Sequence, residues 1–105
     1  MKRILLVCDT GLSTSLLVTR MQKAAKDLLV ETDIWAVSSS EFKNNYNKAD
    51  ICLVGPQISY LIPEFNTLTN IPILEINNMS YSRMDGLEIL EYALKILDGN
   101  RYLSN

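Results

Sequence analysis

The chain has 105 residues, nearly half apolar and about a fifth charged, with Gly and Pro sparse; this suits one globular domain over 1–105. A net charge of −2 leaves no basic footprint for nucleic acid, and the lack of histidine removes imidazole catalysis and most zinc sites. No apolar run approaches the ~20 residues that span a bilayer, and two cysteines without an export signal point to reduced thiols in the cytoplasm.

Met1-Lys2-Arg3 precedes Ile4-Leu5-Leu6-Val7, a run that is apolar at every position. It has the charged start of a signal peptide, but Asp9 interrupts it and no small-residue cleavage site follows. It therefore reads as a strand covered on both faces. Leu17, Met21, Ala24 and Leu28 recur at helical spacing, predicting an amphipathic helix over 13–29 with Ser13 as its N-cap. Residues 33–37 form a weaker strand, expected at a sheet edge, and Ser39 or Ser40 caps a short helix reaching Lys48. Ile51-Cys52-Leu53-Val54 is a second fully apolar strand, stopped by Gly55-Pro56. Ile58, Leu61, Ile62 and Phe65 make the next helical stripe, which Pro63 either starts or bends. A fourth strand over 73–76 follows Pro72. Asp85-Gly86-Leu87-Glu88 predicts a capping box, with Asp85 as cap and Glu88 reciprocating. The helix it opens carries the stripe Leu87, Leu90, Leu94 and Leu97 and ends at Gly99 in the C′ position.

Strands alternating with helices through short connections predict an α/β fold with a parallel sheet. Right-handed crossovers favour an open four-stranded sheet of order 2-1-3-4, flavodoxin-like, flanked by helices. In that order the loops after Val7 and after Val54 face one crevice at the carboxyl ends of adjacent strands.

The chemistry concentrates in Cys8-Asp9-Thr10-Gly11-Leu12-Ser13-Thr14-Ser15, between a buried strand and a long helix. A thiol there sits at the positive end of a helix dipole, near unpaired backbone N–H groups, and both favour the nucleophilic thiolate. Gly11 lets the loop turn, and three hydroxyls follow, making a cradle for a tetrahedral dianion. The plainer alternatives are a small apolar residue ending a core strand for Cys8 and simple N-capping for one hydroxyl. Cys52, mid-strand between Ile51 and Leu53, reads as core. A Cys8–Cys52 disulfide is conceivable on neighbouring strands but disfavoured in a reducing compartment. A cysteine phosphatase or arsenate-reductase-like enzyme is the competing reading. Phosphatases need Cys-x5-Arg, so that a guanidinium grips the equatorial oxygens, and that place holds Thr14. A receiver module needs an acidic pair after the first strand and a phosphorylatable Asp ending the third; here stand Asp9 alone and Val54-Gly55.

The Cys-x-x-Gly-x-Ser-Thr-Ser loop, the Gly55-Pro56-Gln57-Ile58 segment with Tyr60 and Pro63-Glu64 beyond it, and the Asp85-Gly86 opening of the last helix occur in that order. In these the chain resembles the enzyme IIB component of the lactose/cellobiose (chitobiose) branch of the bacterial phosphoenolpyruvate-dependent sugar phosphotransferase system. The resemblance implies a phosphotransferase whose loop amides and hydroxyls act without a metal or cofactor, and the net charge of −2 and ordinary apolar fraction are compatible with a free monomer. Cys8 would take a phosphoryl group from phosphohistidine of a IIA partner and pass it to a sugar held in the membrane-embedded IIC. Residues 9–15 (Asp9, Thr10, Gly11, Leu12, Ser13, Thr14, Ser15) would bind the phosphate, with Gln57 and Tyr60 as a second wall or partner contact. Asp9 departs from the small residues usual after the cysteine, setting a carboxylate beside an incoming dianion unless it turns away.

Overall fold

The computed structural model describes residues 1–9 and 11–99, and of residues 11–13 the backbone. Four parallel strands, β1 (Lys2–Val7), β2 (Thr32–Val37), β3 (Ile51–Val54) and β4 (Ile73–Glu75), form one sheet of order β2-β1-β3-β4, as expected. Ile4 to Val7 are all fully buried, because β1 is paired on both sides and covered on both faces. Val7 lies level with Val37 of β2 and Val54 of β3. The three strands thus end together, and Cys8, Ser38 and Gly55 open the crevice side by side.

Alternation along the strands divides the core into two layers. Ile4, Leu6, Ile34, Ile51 and Leu53 pack with Leu17 and Met21 of α1 (Gly11–Asp27) and Ile89, Leu90 and Ala93 of α4 (Gly86–Leu97). Leu5, Val7, Cys52 and Val54 face the other way, onto Phe42 and Phe65. Those two rings stack with centroids 4.0 Å apart, each contributing about 1.5–3 kcal/mol by burial alone.

Several local expectations give way to tertiary packing. α1 starts at Gly11, so Ser13 lies inside its first turn rather than at the cap. Leu28 falls beyond the helix end and is 42% exposed; Ala25 is buried in its stead, and Leu29 turns the chain at φ 59°. Residues 39–48 form two 3₁₀ helices, Ser39–Asn44 and Tyr46–Lys48, instead of one α-helix. Phe42 is the one buried residue of the pair, too small an apolar stripe to support longer helix. A third 3₁₀ helix, Pro56–Leu61, leads into α2 (Ile62–Asn66), which Pro63 opens. β4 stops at Glu75, one residue short, although Ile76 remains buried.

α3 (Asn78–Ser82) has too few residues to leave a periodic signal. Asn77 caps it, its side-chain oxygen accepting from the N–H groups of Met79 at 2.9 Å and Ser80 at 3.1 Å. Asp85 caps α4 through the Glu88 N–H at 3.0 Å, but Glu88 does not reciprocate. Its carboxylate instead accepts from Ser80 Oγ and, at 3.1 Å, from Arg83 Nη2. Leu87 is half exposed and Ile89 takes its place in the core, because Gly86 brings the α4 backbone directly against α1. Gly99 follows the Asp98 C-cap without the positive φ of a left-handed cap; the last turn closes through Asp98 N–H to Leu94 O, with Lys2 on its carboxylate at 3.3 Å.

Candidate active site

Cys8 is the residue after β1, with its N–H donated to the Val37 carbonyl at 3.1 Å. Its side chain turns into the layer beneath α1 and α4 and is 6% exposed. Gly55 faces it from β3: a Cβ there would stand 3.2 Å from Cys8 Sγ and 3.5 Å from Gln57 Oε1. Glycine is what allows the β3 chain end to approach the sulfur this closely.

Burial dominates the electrostatics of the thiol and pushes its pKa up, and the Asp9 charge adds a little in the same direction. Hydrogen bonds from the Thr14 and Tyr81 side chains to the sulfur pull the other way. The Gly55 N–H, already donated to the Val7 carbonyl at 2.9 Å, adds a weaker pull. Burial of Cys8 therefore opposes the thiolate that a helix-terminal position favours. A site with little water around the sulfur penalises the anion more than these donors compensate.

Asp9 is exposed. Its carboxylate accepts from the Ser39 N–H at 2.9 Å and from Ser39 Oγ at 3.1 Å, capping the 3₁₀ helix that follows β2. It thereby ties the end of β1 to the end of β2. Thr10 lies outside the described residues, and of Gly11, Leu12 and Ser13 only the backbone is described. The backbone of 11–13 is the first turn of α1, whose N–H groups have no partner within the helix. Thr14, 7% exposed, lines the same depression as Cys8, and Ser15 is exposed.

A depression of about 250 Å³ opens between Cys8, Asp9, Thr14 and Ser15 on one side and residues 36–38 on the other. Gln57 and Tyr60 do not line it. Gln57 sits beside Gly55 on the β3 flank, and Tyr60, 74% exposed, projects outward. Cys52 faces the opposite core layer from Cys8, so the sheet separates the two free thiols. Sequence reasoning passed over Tyr81, 5% exposed in α3. Nothing in its local pattern marks it, since its place beside Cys8 depends on how α3 packs.

Open parallel α/β sheets bind ligands outside the carboxyl ends of their strands at the topological switch point, and the buried Cys8 lies there, before a long helix. Residues 3–92 match the family model described as PTS system, Lactose/Cellobiose specific IIB subunit, and the chain belongs to that family. It is 42% identical over 100 residues to the oligo-beta-mannoside-specific EIIB component of the phosphotransferase system of Bacillus subtilis, covering 92% of this chain and 97% of the relative. With the cellobiose-specific EIIB component of Lactococcus lactis it shares 32% identity over 105 residues, at the same coverage. The solution structure of a cellobiose-specific IIB component from Borrelia burgdorferi superposes with a TM-score of 0.78 at 32% identity, covering 93% of each chain. As an EIIB component the chain is a phosphotransferase, a sugar-specific phosphoryl carrier. Among the described residues no helix is long and apolar enough to cross a membrane.

Proposed function

We propose that residues 1–105 act as one cytoplasmic IIB unit. It accepts a phosphoryl group on Cys8 from phosphohistidine of a IIA partner and hands it to a β-linked di- or oligosaccharide bound in IIC. The observation that carries this reading is the thiol itself, held where β1 meets α1, with Thr14 where a phosphatase places arginine. In the first step the Cys8 sulfur attacks phosphorus in line, so that an S–P bond forms as the N–P bond breaks. The departing imidazole keeps the electron pair and takes up the proton that the thiol gives up. In the second step a sugar hydroxyl attacks, an O–P bond forms as the S–P bond breaks, and the departing sulfur keeps the electron pair and takes up the proton that the hydroxyl gives up, restoring the Cys8 thiol. The first-turn amides of α1 and the Thr14 hydroxyl supply charge stabilisation. With Thr14 where a phosphatase has the guanidinium that grips the equatorial oxygens, the transition state for attack by water is poorly stabilised and the phosphocysteine outlives the wait for its acceptor. Leu16, Tyr60 and Met79 are exposed apolar side chains on the elements that follow β1, β3 and β4. They offer apolar contact to partners, which is the role proposed for Tyr60, and Gln57, beside Gly55, is proposed to meet the phosphoryl group or the partner.

Incubation with phosphoenolpyruvate, the general phosphotransfer proteins and a IIA should add the mass of one phosphoryl group, mapped to Cys8 and absent from Cys8→Ala. Label elsewhere, or normal labelling of Cys8→Ala, refutes the relay. Brisk hydrolysis of para-nitrophenyl phosphate favours the phosphatase alternative.

A further inference from the structure

The depression beside Cys8 has two walls. Thr14 and Ser15 stand on the α1 side, and residues 36–38 form the other, where Ser38 brings a hydroxyl beside Ala36 and Val37. The strand register sets where that hydroxyl stands. Val7 is level with Val37, so Cys8 and Ser38, one residue further on, are level too. The Cys8 N–H donates to the Val37 carbonyl at 3.1 Å, which carries the β1–β2 ladder past its last paired residues. Ile4, Leu6 and Cys8 lie in one core layer; Ile34 belongs to it and Ala36 packs against it. Side chains alternate along an extended chain, and Ser38 keeps an extended backbone at φ −76° and ψ 166°. Its side chain therefore falls on the face that Cys8 uses, one strand spacing of about 4.8 Å away.

The surrounding contacts leave that hydroxyl available. A serine just before a helix ordinarily turns its oxygen onto the first N–H groups, and Ser38 does not. Asp9 caps the turn instead, through the Ser39 N–H at 2.9 Å and Ser39 Oγ at 3.1 Å. Ser38 Oγ pairs with Ser40 Oγ at 3.0 Å. A hydroxyl has one donor and two acceptor sites, so when Ser40 donates, the Ser38 proton is left for the crevice.

We infer that Ser38 is a phosphoryl-binding residue of the Cys8 relay: its hydroxyl, level with the sulfur on the neighbouring strand, donates to an oxygen of the group that Cys8 carries. This deepens the function proposed above and rests on it for the phosphoryl group, whereas the affinity of the depression for a tetrahedral anion does not. Ser38 keeps its own proton; the S–P bond alone is made and broken at this site. A donor bonds an ionised oxygen about twice as strongly as a neutral one, so the contact strengthens as the charge arrives. Asp9 thereby serves the dianion it repels, since its carboxylate does the capping that would otherwise occupy Ser38.

The test compares Ser38→Ala with Ser38→Thr, which keeps the hydroxyl; Ser38 is exposed, so neither change disturbs the core. Phosphoryl transfer from phosphorylated IIA to Cys8 should slow about tenfold in Ser38→Ala and stay within about twofold of wild type in Ser38→Thr. Transfer at the wild-type rate by Ser38→Ala, or an equal loss in both variants, overturns the inference. A second measurement needs no partner protein: inorganic phosphate, at ionic strength held constant with chloride, should protect Cys8 from iodoacetamide. The phosphate concentration for half protection should rise about tenfold in Ser38→Ala and stay near the wild-type value in Ser38→Thr. A role in docking IIA alone would leave protection unchanged, so equal protection of wild type and Ser38→Ala refutes phosphoryl binding, as does a wild type that phosphate fails to protect. Should protection depend on the hydroxyl in a protein that IIA never labels, the Ser38 site stands and the relay falls.

Discussion

Asp9 separates two effects that a single substitution would confuse. Its carboxylate caps Ser39 through two hydrogen bonds and also lends a repulsive charge to the Cys8 sulfur. Asp9→Ala removes both. Losing an exposed cap of this kind costs about 1 kcal/mol, which for a chain of this size lowers Tm by about 5 °C. Asp9→Asn keeps an oxygen for the Ser39 N–H and offers an amide to Ser39 Oγ, but discards the charge. Its Tm should stay within about 2 °C of wild type. The Coulomb contribution passes through solvent-exposed space, where a unit charge a few ångströms away is worth under about 1 kcal/mol. Both variants should therefore alkylate at Cys8 two- to fivefold faster than wild type near neutral pH, by roughly that energy. Thermal unfolding by circular dichroism and alkylation kinetics read the two effects independently. If Asp9→Asn loses as much stability as Asp9→Ala, the cap is not what Asp9 supplies. If neither variant reacts faster, its charge does not reach the sulfur.

Gly86→Ala should be far more damaging than an alanine in a helix first turn normally is. A Cβ at Gly86 would lie 2.6 Å from the Arg20 carbonyl carbon and 2.7 Å from the Met21 nitrogen. Pushing α4 off α1 should cost about 3 kcal/mol, read as a lower urea midpoint, and a midpoint matching wild type would falsify the packing described. Alkaline stability follows from Cys52. Burial raises its pKa from an ordinary value near 9 to about 12, so its contribution is whole below about pH 9 and fades as pH climbs toward about 12. Between about pH 8 and pH 10 the wild type should lose about 1.4 kcal/mol more than Cys52→Ala in urea unfolding; equal losses would refute a buried neutral thiol.

The strands were legible because a strand covered on both faces must be apolar throughout, and Ile4 to Val7 and Ile51 to Val54 are. The edge position of β2 followed from its mixed pattern, and the sheet order from handedness. Helix stripes were legible in outline and wrong in detail. Leu28 and Leu87 have the right spacing, but one lies past the end of its helix and the other yields to the close approach of Gly86. Cys8 and its loop stood out through local pattern: a strand end, a glycine and a run of hydroxyls before a helix. Tyr81 did not, because it joins the core layer of Cys8 from 73 positions away in the sequence. The state of the thiol was equally hidden. Helix-end polarity is a sequence-level expectation, whereas desolvation depends on how completely α1, α4 and β3 close over the atom.

The division of the core into two layers has a consequence for oxidative chemistry. Cys8 and Cys52 are the chain's two sulfur nucleophiles, and the sheet stands between them. A Cys8 carried to sulfenic acid by peroxide finds no resolving thiol within its own chain. Its recovery depends on a small soluble thiol reaching the crevice, through the same opening that a phosphoryl donor must use.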